Sequence, residues 1–221
     1  MGGEILPFFM EAVKAWPNEL IYRFKYPHDI SKGTNRALEV CKELPESVLE
    51  QGGGTSSAIK PWDPPHQWIE MHRFWEWLHP LLDDVWKAWG MVPQQRMLQK
   101  SWVNWHPNGA WTAEHDHSAV HQVVAFYMRK PTESGDILFR DPLDIAWWSY
   151  PRELRKRSLW QSVAVEEGDV LIFPGWLRHK TEPNTTDEDR IVLSANFSVN
   201  YFNYQPPPQP LPTRKQTERM I

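Results

Sequence analysis

The chain has 221 residues and a formal net charge of -4, so it is long enough for one domain with a sizeable core. Its acidic balance gives no electrostatic reason to expect a nucleic acid or an anionic membrane as partner. A single cysteine excludes an intrachain disulfide framework, and the absence of a secretory leader or a long apolar stretch leads us to expect a cytoplasmic protein.

Residues 1–96 are predicted to be mainly helical and to pack on the core that follows. Between Trp68 and Trp89, apolar residues recur at intervals of three or four, and Gly90 ends the run. This is the pattern of an amphipathic helix with one buried face. The glycines at 52–54 and the hydroxyl residues after them indicate a flexible loop before that helix.

From Met97 onward the sequence changes to short β segments separated by turn residues. Several short strands at this spacing indicate a sandwich or a barrel. The predicted strands are 98–105, 120–128, 136–140, 161–165, 169–173, 179–182 and 190–201. We therefore predict an α+β chain, mainly β, in which residues 97–204 form a double-stranded β-helix. This cupin-like jelly roll would pack against the N-terminal helices as one structural domain.

Residues 143–160 interrupt the strand pattern and are too long for a hairpin turn. They carry Trp147, Trp148 and several basic residues, and we interpret them as a lid or a substrate loop inserted in the core. A solvated basic helix with an aromatic packing face is the alternative. Residues 205–221 begin with a proline-rich stretch, for which extended polyproline geometry is expected. This tail would wrap the domain, contact a second subunit of a homodimer, or stay loose.

A candidate metal site begins at the sequence Ala-Glu-His-Asp-His-Ser, residues 113–118. On a β-strand His115 and His117 leave from the same face, close enough to share one ion. His179, further along the chain, would complete a set of three neutral donors. Such a set leaves open coordination positions for small ligands, as oxygen-activating iron sites require.

Asp116 gives this site an alternative ligand set. On a regular strand its carboxylate would point to the opposite face, which favours ligation by His115, His117 and His179. A bulge would swing Asp116 inward, and the ligands would then be His115, Asp116 and His179. In a third arrangement, His115 or His117 is an outer donor that does not touch the metal.

The motifs after residue 100 have the order found in the iron- and 2-oxoglutarate-dependent oxygenases. They are Ser-Trp-Val-Asn at 101–104, His-x-His at 115–117, a strand ending in Pro131, Phe-x-Asp-Pro at 139–142, Gly-Asp-Val-Leu-x-Phe at 168–173, Trp-Leu-x-His at 176–179 and Arg-Ile-x-x-Ser-x-Asn-Phe at 190–197. In these motifs the chain resembles that superfamily, and within it a group of bacterial and phage 2-oxoglutarate-Fe(II) oxygenases. The resemblance implies a dioxygenase that takes Fe(II), 2-oxoglutarate and O2. It would oxidise, most simply hydroxylate, its substrate and release succinate and CO2.

The chain departs from the commoner pattern of the superfamily, in which the motif is His-x-Asp or His-x-Glu. The resemblance also implies a cation for the far carboxylate of 2-oxoglutarate, and Arg190 would supply a bidentate guanidinium. A strand that starts at Arg190 puts Ser194 and Asn196 on the same face. Ser194 would add a hydroxyl donor to that carboxylate, and Asn196 would line the pocket. The competing interpretation of Arg190 is a surface ion pair with Asp187 or Asp189.

The remaining site candidates are polar or aromatic residues near these motifs. Asn104 is a candidate for contact with cosubstrate or substrate. The candidates for substrate contact are Trp105, Trp111, His121, Tyr127 and Trp176. We expect a small-molecule or peptide substrate and no nucleic acid. Two rival functions stay open: a three-histidine cupin-type dioxygenase that does not use 2-oxoglutarate, and a metal- or sugar-binding jelly roll without catalysis.

Overall fold

The computed structural model describes residues 19–92, 94–143, 151 and 158–199. The predicted tail at 205–221 and most of the predicted insertion at 143–160 lie outside these ranges. The elements of the described residues are β1 (Tyr22–Lys25), α1 (Ser31–Lys42), β2 (Glu50–Gln51), β3 (Thr55–Ser56), α2 (His72–Ala88), β4 (Arg96–His106), β5 (Trp111–Thr112), β6 (Gln122–Arg129), β7 (Ile137–Arg140), β8 (Trp160–Val163), β9 (Asp169–Pro174), β10 (His179–Thr181) and β11 (Arg190–Val199). None of the described helices has the length and apolar character needed to cross a membrane.

The strands form two facing sheets and a short ribbon. Among the described residues, the larger sheet has the order β1-β9-β6-β11-β4-β3, the smaller sheet the order β10-β7-β8, and β2 pairs with β5. Neighbouring strands are antiparallel. Except for the pairs β3–β4 and β7–β8 they are not consecutive in the chain, as crossovers between two sheets require. Tyr127 and Phe173 of the larger sheet pack with Phe139 of the smaller one in a common apolar cluster. This arrangement confirms the predicted jelly-roll core.

The central strands of the larger sheet are buried on both faces. In β6, Val124 and Phe126 face the helices, whereas Val123 and Tyr127 face the smaller sheet. Successive side chains of a strand alternate between its faces. Burial on both sides therefore explains why β6 is apolar throughout and shows little alternation in its sequence.

The helix α2 covers the outer face of the larger sheet. Phe74, Leu78 and Leu82 form a buried stripe along it, and the Phe74 ring stacks on that of Phe126, with centroids 4.4 Å apart. The α-helix begins at His72, later than the apolar pattern suggested, because the residues before it form two short 3-10 turns.

The N-terminal region is less helical than we predicted from the sequence. β1 pairs with β9, β3 pairs with β4, and β2 pairs with β5. These strands have only two to four residues, which is too short for a period-2 pattern to be recognised. Sequence before residue 96 therefore completes the sheets of the core and supplies part of the site described next.

Candidate metal centre and cosubstrate cavity

A cavity of about 260 Å³ lies between the two sheets. Its wall takes every second residue of the central strands, because side chains alternate between the faces of a sheet. The lining residues include Lys100, Trp102, Asn104 and His106 of β4, Val123, Ala125 and Tyr127 of β6, and Val192, Ser194 and Asn196 of β11. We call the exposed end, with Lys100, Trp102 and Asp116, the mouth. The buried end, with Glu50, His106, Thr112 and Thr181, is the floor.

His115, His117 and His179 meet at this cavity, with their candidate ligand atoms all within 4.8 Å of one another. His115 and His179 face each other in an antiparallel bridge, in which each backbone N–H donates to the other residue's carbonyl over 3.0 Å. The backbone N–H of His117 donates to the carbonyl of Gly175 over 2.8 Å. Three imidazole nitrogens at this spacing need only small rotations to bind one divalent transition metal at about 2.1 Å.

Backbone carbonyls orient two of these rings. The Nδ1 of His115 lies 2.9 Å from the carbonyl oxygen of Ala113, and the Nδ1 of His179 lies 2.9 Å from that of Leu177. A carbonyl can only accept, so each Nδ1 carries the proton and each Nε2 presents a lone pair. Fixing the tautomer through the outer nitrogen is how proteins orient histidine ligands of a metal.

Burial also favours the neutral form of two of these imidazoles, His117 and His179. Burial, and then the neighbouring His115, lower the pKa of His117 to about 4. Burial likewise lowers the pKa of His179 well below its usual value. Because a protonated imidazole cannot bind a metal, these two nitrogens are available to a cation at neutral pH.

Asp116 does not join this group. It is exposed, and its Oδ1 accepts a hydrogen bond of 2.8 Å from the Ser118 hydroxyl. Within the described residues, the metal-binding group at this position contains the three histidines and no carboxylate. The chain around it is not a regular strand, since His115 forms only an isolated bridge.

Arg190 lies behind the floor and is 0% exposed. Its Nη1 donates to the carbonyl oxygens of Ser134, Gly135 and Glu182. The guanidinium that we predicted to bind a carboxylate in a bidentate manner therefore donates largely to backbone carbonyls, and burial separates it from solvent. In the described part of the chain it forms no ion pair with Asp187 or Asp189, which contact Asn108 and Lys42 instead.

Thr181 connects Arg190 to the cavity. Its Oγ1 accepts hydrogen bonds from Nη2 of Arg190 over 3.0 Å and from the backbone N–H of Thr112 over 2.8 Å. A hydroxyl has two lone pairs and one hydrogen. Both lone pairs are engaged, so the hydrogen is left for an acceptor in the cavity that Thr181 lines. Sequence reasoning missed this residue, although its position two residues after His179 puts both side chains on one strand face.

Four other predicted residues line the cavity: Asn104, Tyr127, Ser194 and Asn196. The Oδ1 of Asn104 accepts a hydrogen bond of 2.8 Å from the Ser56 hydroxyl, which leaves its amide nitrogen as a donor. Burial raises the pKa of Tyr127 above its usual value, so the phenol stays protonated. The wall between the histidines and the floor therefore offers neutral hydrogen-bonding groups.

The other residues predicted to contact substrate lie elsewhere. Trp105 and Trp111 each neighbour a lining residue and so project from the opposite strand face, and Trp105 packs against the helical cluster. His121 packs edge-on against Trp86, with ring centroids 6.1 Å apart. Trp176 is 54% exposed and, among the described residues, is not part of the cavity wall. As the structure describes them, none of these four side chains lines the cavity, and their contact with substrate stays a prediction.

The core of the chain matches a known protein family. Residues 100–196 match the family model described as "Putative 2OG-Fe(II) oxygenase". This match covers just under half of the chain and, with the jelly-roll fold and the histidine group, confirms the resemblance to the 2OG-Fe(II) oxygenase superfamily seen in the sequence. A search of curated proteins found no significant match.

Solved structures share the fold at low sequence identity. HygX from Streptomyces hygroscopicus, solved with nickel, 2-oxoglutarate and hygromycin B, is 15% identical with a TM-score of 0.56, over 82% of this chain and 84% of that chain. The α-ketoglutarate-dependent epimerase SnoN from nogalamycin biosynthesis is 17% identical, with a TM-score of 0.55 over 81% and 78%. A prolyl-4-hydroxylase from Pseudomonas putida is 11% identical, with a TM-score of 0.55 over 81% and 92%.

One further structure aligns less well. The structure is an oxidoreductase of the 2OG-Fe(II) oxygenase family from Burkholderia pseudomallei, with 11% identity and a TM-score of 0.43. The alignment covers 58% of this chain and 58% of that chain. That likeness carries no argument here, and the better alignments establish the fold alone.

Proposed function

We propose that this protein is an oxygenase that uses Fe(II), 2-oxoglutarate and O2 to oxidise a small molecule or a peptide, by hydroxylation in the simplest case. Succinate and CO2 would be the other products. The observation that carries the proposal is the joint position of a three-histidine group at one cavity and a buried guanidinium behind the floor of that cavity.

The donor set fits the metal. His115, His117 and His179 would hold Fe(II) through neutral nitrogens and leave further coordination positions open to the cavity. When bound there, Fe(II) and 2-oxoglutarate supply the redox chemistry, in which the keto acid loses CO2 and one oxygen atom reaches the substrate. The task of the chain is to hold these groups and to keep bulk water out.

The floor fits the far carboxylate of 2-oxoglutarate. The hydroxyl hydrogen of Thr181 would donate to that carboxylate, and Arg190 would place a permanent positive charge directly behind it. A guanidinium has five N–H donors, and within the described residues one N–H of Nη2 remains beside Thr181 as a second donor. Ser194 and Tyr127 would complete the wall around the carbon chain.

The substrate would enter at the mouth. Trp102 and Lys100 line it, and the Trp102 ring lies 5.8 Å from that of His117. HygX was solved with hygromycin B and SnoN with nogalamycin RO, which makes a small molecule the first substrate class to test. Asn104 and Asn196, on the same strand faces, would offer hydrogen bonds to polar groups of such a ligand.

Binding and turnover of 2-oxoglutarate test this proposal. In calorimetry, the anaerobic protein with Fe(II) should bind 2-oxoglutarate. When the 2-oxoglutarate is isotopically labelled, admitting O2 should yield labelled succinate even without the primary substrate. A His179→Ala variant should do neither. Iron binding without 2-oxoglutarate binding would favour the three-histidine cupin-type dioxygenase. Binding of both without succinate, across a panel of candidate substrates, would favour a non-catalytic jelly roll.

A further inference from the structure

The cavity floor holds a buried carboxylate that the proposed function does not use. Glu50 of β2 is 3% exposed and His106 of β4 is 1% exposed, yet both line the cavity. A charged group is rarely buried unless it is paired and hydrogen-bonded. The hydrogen-bond partners of Glu50 therefore indicate which groups this carboxylate orients.

Glu50 is connected to Arg190 through one imidazole. The Oε2 of Glu50 lies 2.5 Å from Nε2 of His106 and accepts a second hydrogen bond of 2.6 Å from the Thr112 hydroxyl. On the other side of the ring, Nε of Arg190 donates to Nδ1 of His106 over 3.4 Å. The carboxylate, the ring and the guanidinium thus form a chain in which each donor has an acceptor.

This chain is consistent with one protonation state of His106. An arginine N–H can only donate, so Nδ1 must present its lone pair, and Nε2 must carry the proton that Glu50 accepts. Burial, and then the positive charge of Arg190, lower the pKa of His106 and oppose an imidazolium. The Thr112 hydroxyl oxygen also lies 3.0 Å from Nε2. Without the carboxylate this neutral oxygen is the acceptor left for the Nε2 proton among the described residues, so the preference for this tautomer weakens.

The backbone places Glu50 at this position. Gly52, two residues later, has a φ of +68°, and a Cβ there would clash with the carbonyl of Gly109. The turn after β2 therefore packs directly on the turn after β4, and the strand pair β2–β5 puts Glu50 opposite Thr112. Glu50 is supplied by sequence outside the segment matched by the family model, residues 100–196.

We propose that Glu50 and His106 are positioning residues, which hold the Arg190 guanidinium so that its Nη2 supports Thr181 at the cosubstrate end of the cavity. This inference rests on the proposed function, because the ligand it serves is the far carboxylate of 2-oxoglutarate. Arg190 is held from three sides: Nη1 by backbone carbonyls, Nε by His106, and Nη2 by Thr181. Loss of the Nε contact lets the plane of the guanidinium turn about the anchored Nη1.

Two substitutions at one position separate this role from a general effect of charge. Glu50→Gln removes the charge but keeps an oxygen that accepts from Nε2 of His106, whereas Glu50→Ala removes both. In anaerobic calorimetry with Fe(II), Glu50→Ala should raise the Kd of 2-oxoglutarate about tenfold. Glu50→Gln should bind equally well or more tightly, because a like charge near the ligand is gone. The kcat at saturating 2-oxoglutarate should change less than about twofold in both variants.

Nitrogen NMR of His106 gives a readout that does not depend on the cosubstrate. In the metal-free wild type the ring should be the neutral Nε2–H tautomer, and Glu50→Gln should keep it. Glu50→Ala should show a reduced Nε2–H population, because only the Thr112 hydroxyl oxygen remains as an acceptor beside Nε2. Asp169→Asn is the matched control, because this buried carboxylate contacts Lys25 and the backbone of Glu166 rather than His106 or Arg190. It should leave both the tautomer and the Kd unchanged.

The possible results separate the two proposals. If the wild type fails to bind 2-oxoglutarate, the proposed function and the positioning role are both overturned. If the wild type binds 2-oxoglutarate, two results overturn the positioning role alone. One is a Glu50→Ala variant that binds 2-oxoglutarate as tightly as the wild type, and the other is a Glu50→Gln variant that binds it tenfold more weakly. If Glu50→Ala does not fold, the Glu50→Gln affinity and the wild-type tautomer decide, and a proton on Nδ1 in the wild type overturns the role.

Discussion

The two faces of the larger sheet use the same strands for different purposes. Along β11, Leu193 and Ala195 face the helices and are fully buried in an apolar cluster. Their neighbours Ser194 and Asn196 face the cavity and carry polar groups. Because alternate residues of a strand project from opposite faces, one strand contributes to stability through one set of side chains and to ligand binding through the other.

The forces on the two faces differ as well. The helix-facing side is closed by contacts such as that of Phe74 with Phe126, which stabilise the fold by excluding water from apolar surface. The cavity-facing side keeps polar groups in fixed orientations: a directional hydrogen bond joins Arg190 to His106, and another joins Arg190 to Thr181 of the smaller sheet. We therefore expect substitutions on the helix-facing side to change mainly the free energy of unfolding, and substitutions at the cavity to change mainly ligand affinity.

The largest effect should follow from removing a histidine that faces the cavity from the smaller sheet. His179→Ala should abolish stoichiometric iron binding and lower succinate formation at least about 100-fold, since one of three ligands is lost. The fold should survive, because the imidazole is neutral and bridges no ion pair. Metal content per chain and thermal unfolding measure the two quantities. His72→Ala, at an exposed helix position, is the control and should match the wild type in both.

The helix-facing side should give the opposite result. Phe126→Ala removes a fully buried ring that stacks on Phe74, and it should lower the free energy of unfolding by about 3–5 kcal/mol. Iron content and the Kd of 2-oxoglutarate in the molecules that remain folded should stay within about twofold of the wild type. Urea denaturation and calorimetry below the transition give both numbers. A large loss of 2-oxoglutarate affinity with little loss of stability would contradict the separation of the faces.

A smaller effect is expected at the floor. Thr181→Val keeps the shape of the side chain but removes the hydroxyl on which Arg190 and Thr112 converge. The Kd of 2-oxoglutarate should rise about tenfold, and stability should fall by about 1–3 kcal/mol because two buried donors lose their acceptor. Thr181→Ser restores the hydroxyl and should recover most of the affinity. If serine and valine behave alike, the hydroxyl is not a ligand of the carboxylate.

Much of the fold could be predicted from the sequence because alternation is a local property. The predicted strands at 98–105, 169–173 and 190–201 correspond to β4, β9 and β11 within two residues at each end. The grouping of His115 and His117 with the distant His179 was predicted from the order of the motifs and from strand alternation, although the chain at 115–117 is not a regular strand.

What the sequence did not reveal depends on contacts between distant segments. Which face of β4 lines the cavity is decided by where the helices pack, so the sequence alone did not show that Trp105 packs against the helical cluster. The carbonyls that engage Arg190 come from two loops that no local pattern connects to it. Glu50 reaches His106 only because β2 pairs with β5, and a strand of two residues leaves no recognisable pattern.

The smallest effect is expected at Asp116, where the choice between a carboxylate and a histidine ligand is tested. Asp116→Ala should leave the iron content unchanged and alter stability by no more than about 0.5 kcal/mol, because its exposed carboxylate contacts only the nearby Ser118 hydroxyl in the described structure. His117→Ala, one residue further, should lose iron binding as His179→Ala does. Metal stoichiometry should be measured in both variants under the same conditions. A general disturbance of the segment 115–117 would then affect both variants alike and would not be mistaken for the loss of one ligand. If Asp116→Ala lost the iron while His117→Ala kept it, the ligands would be two histidines and a carboxylate, and the backbone at 115–117 would have to rearrange on metal binding to turn that side chain inward.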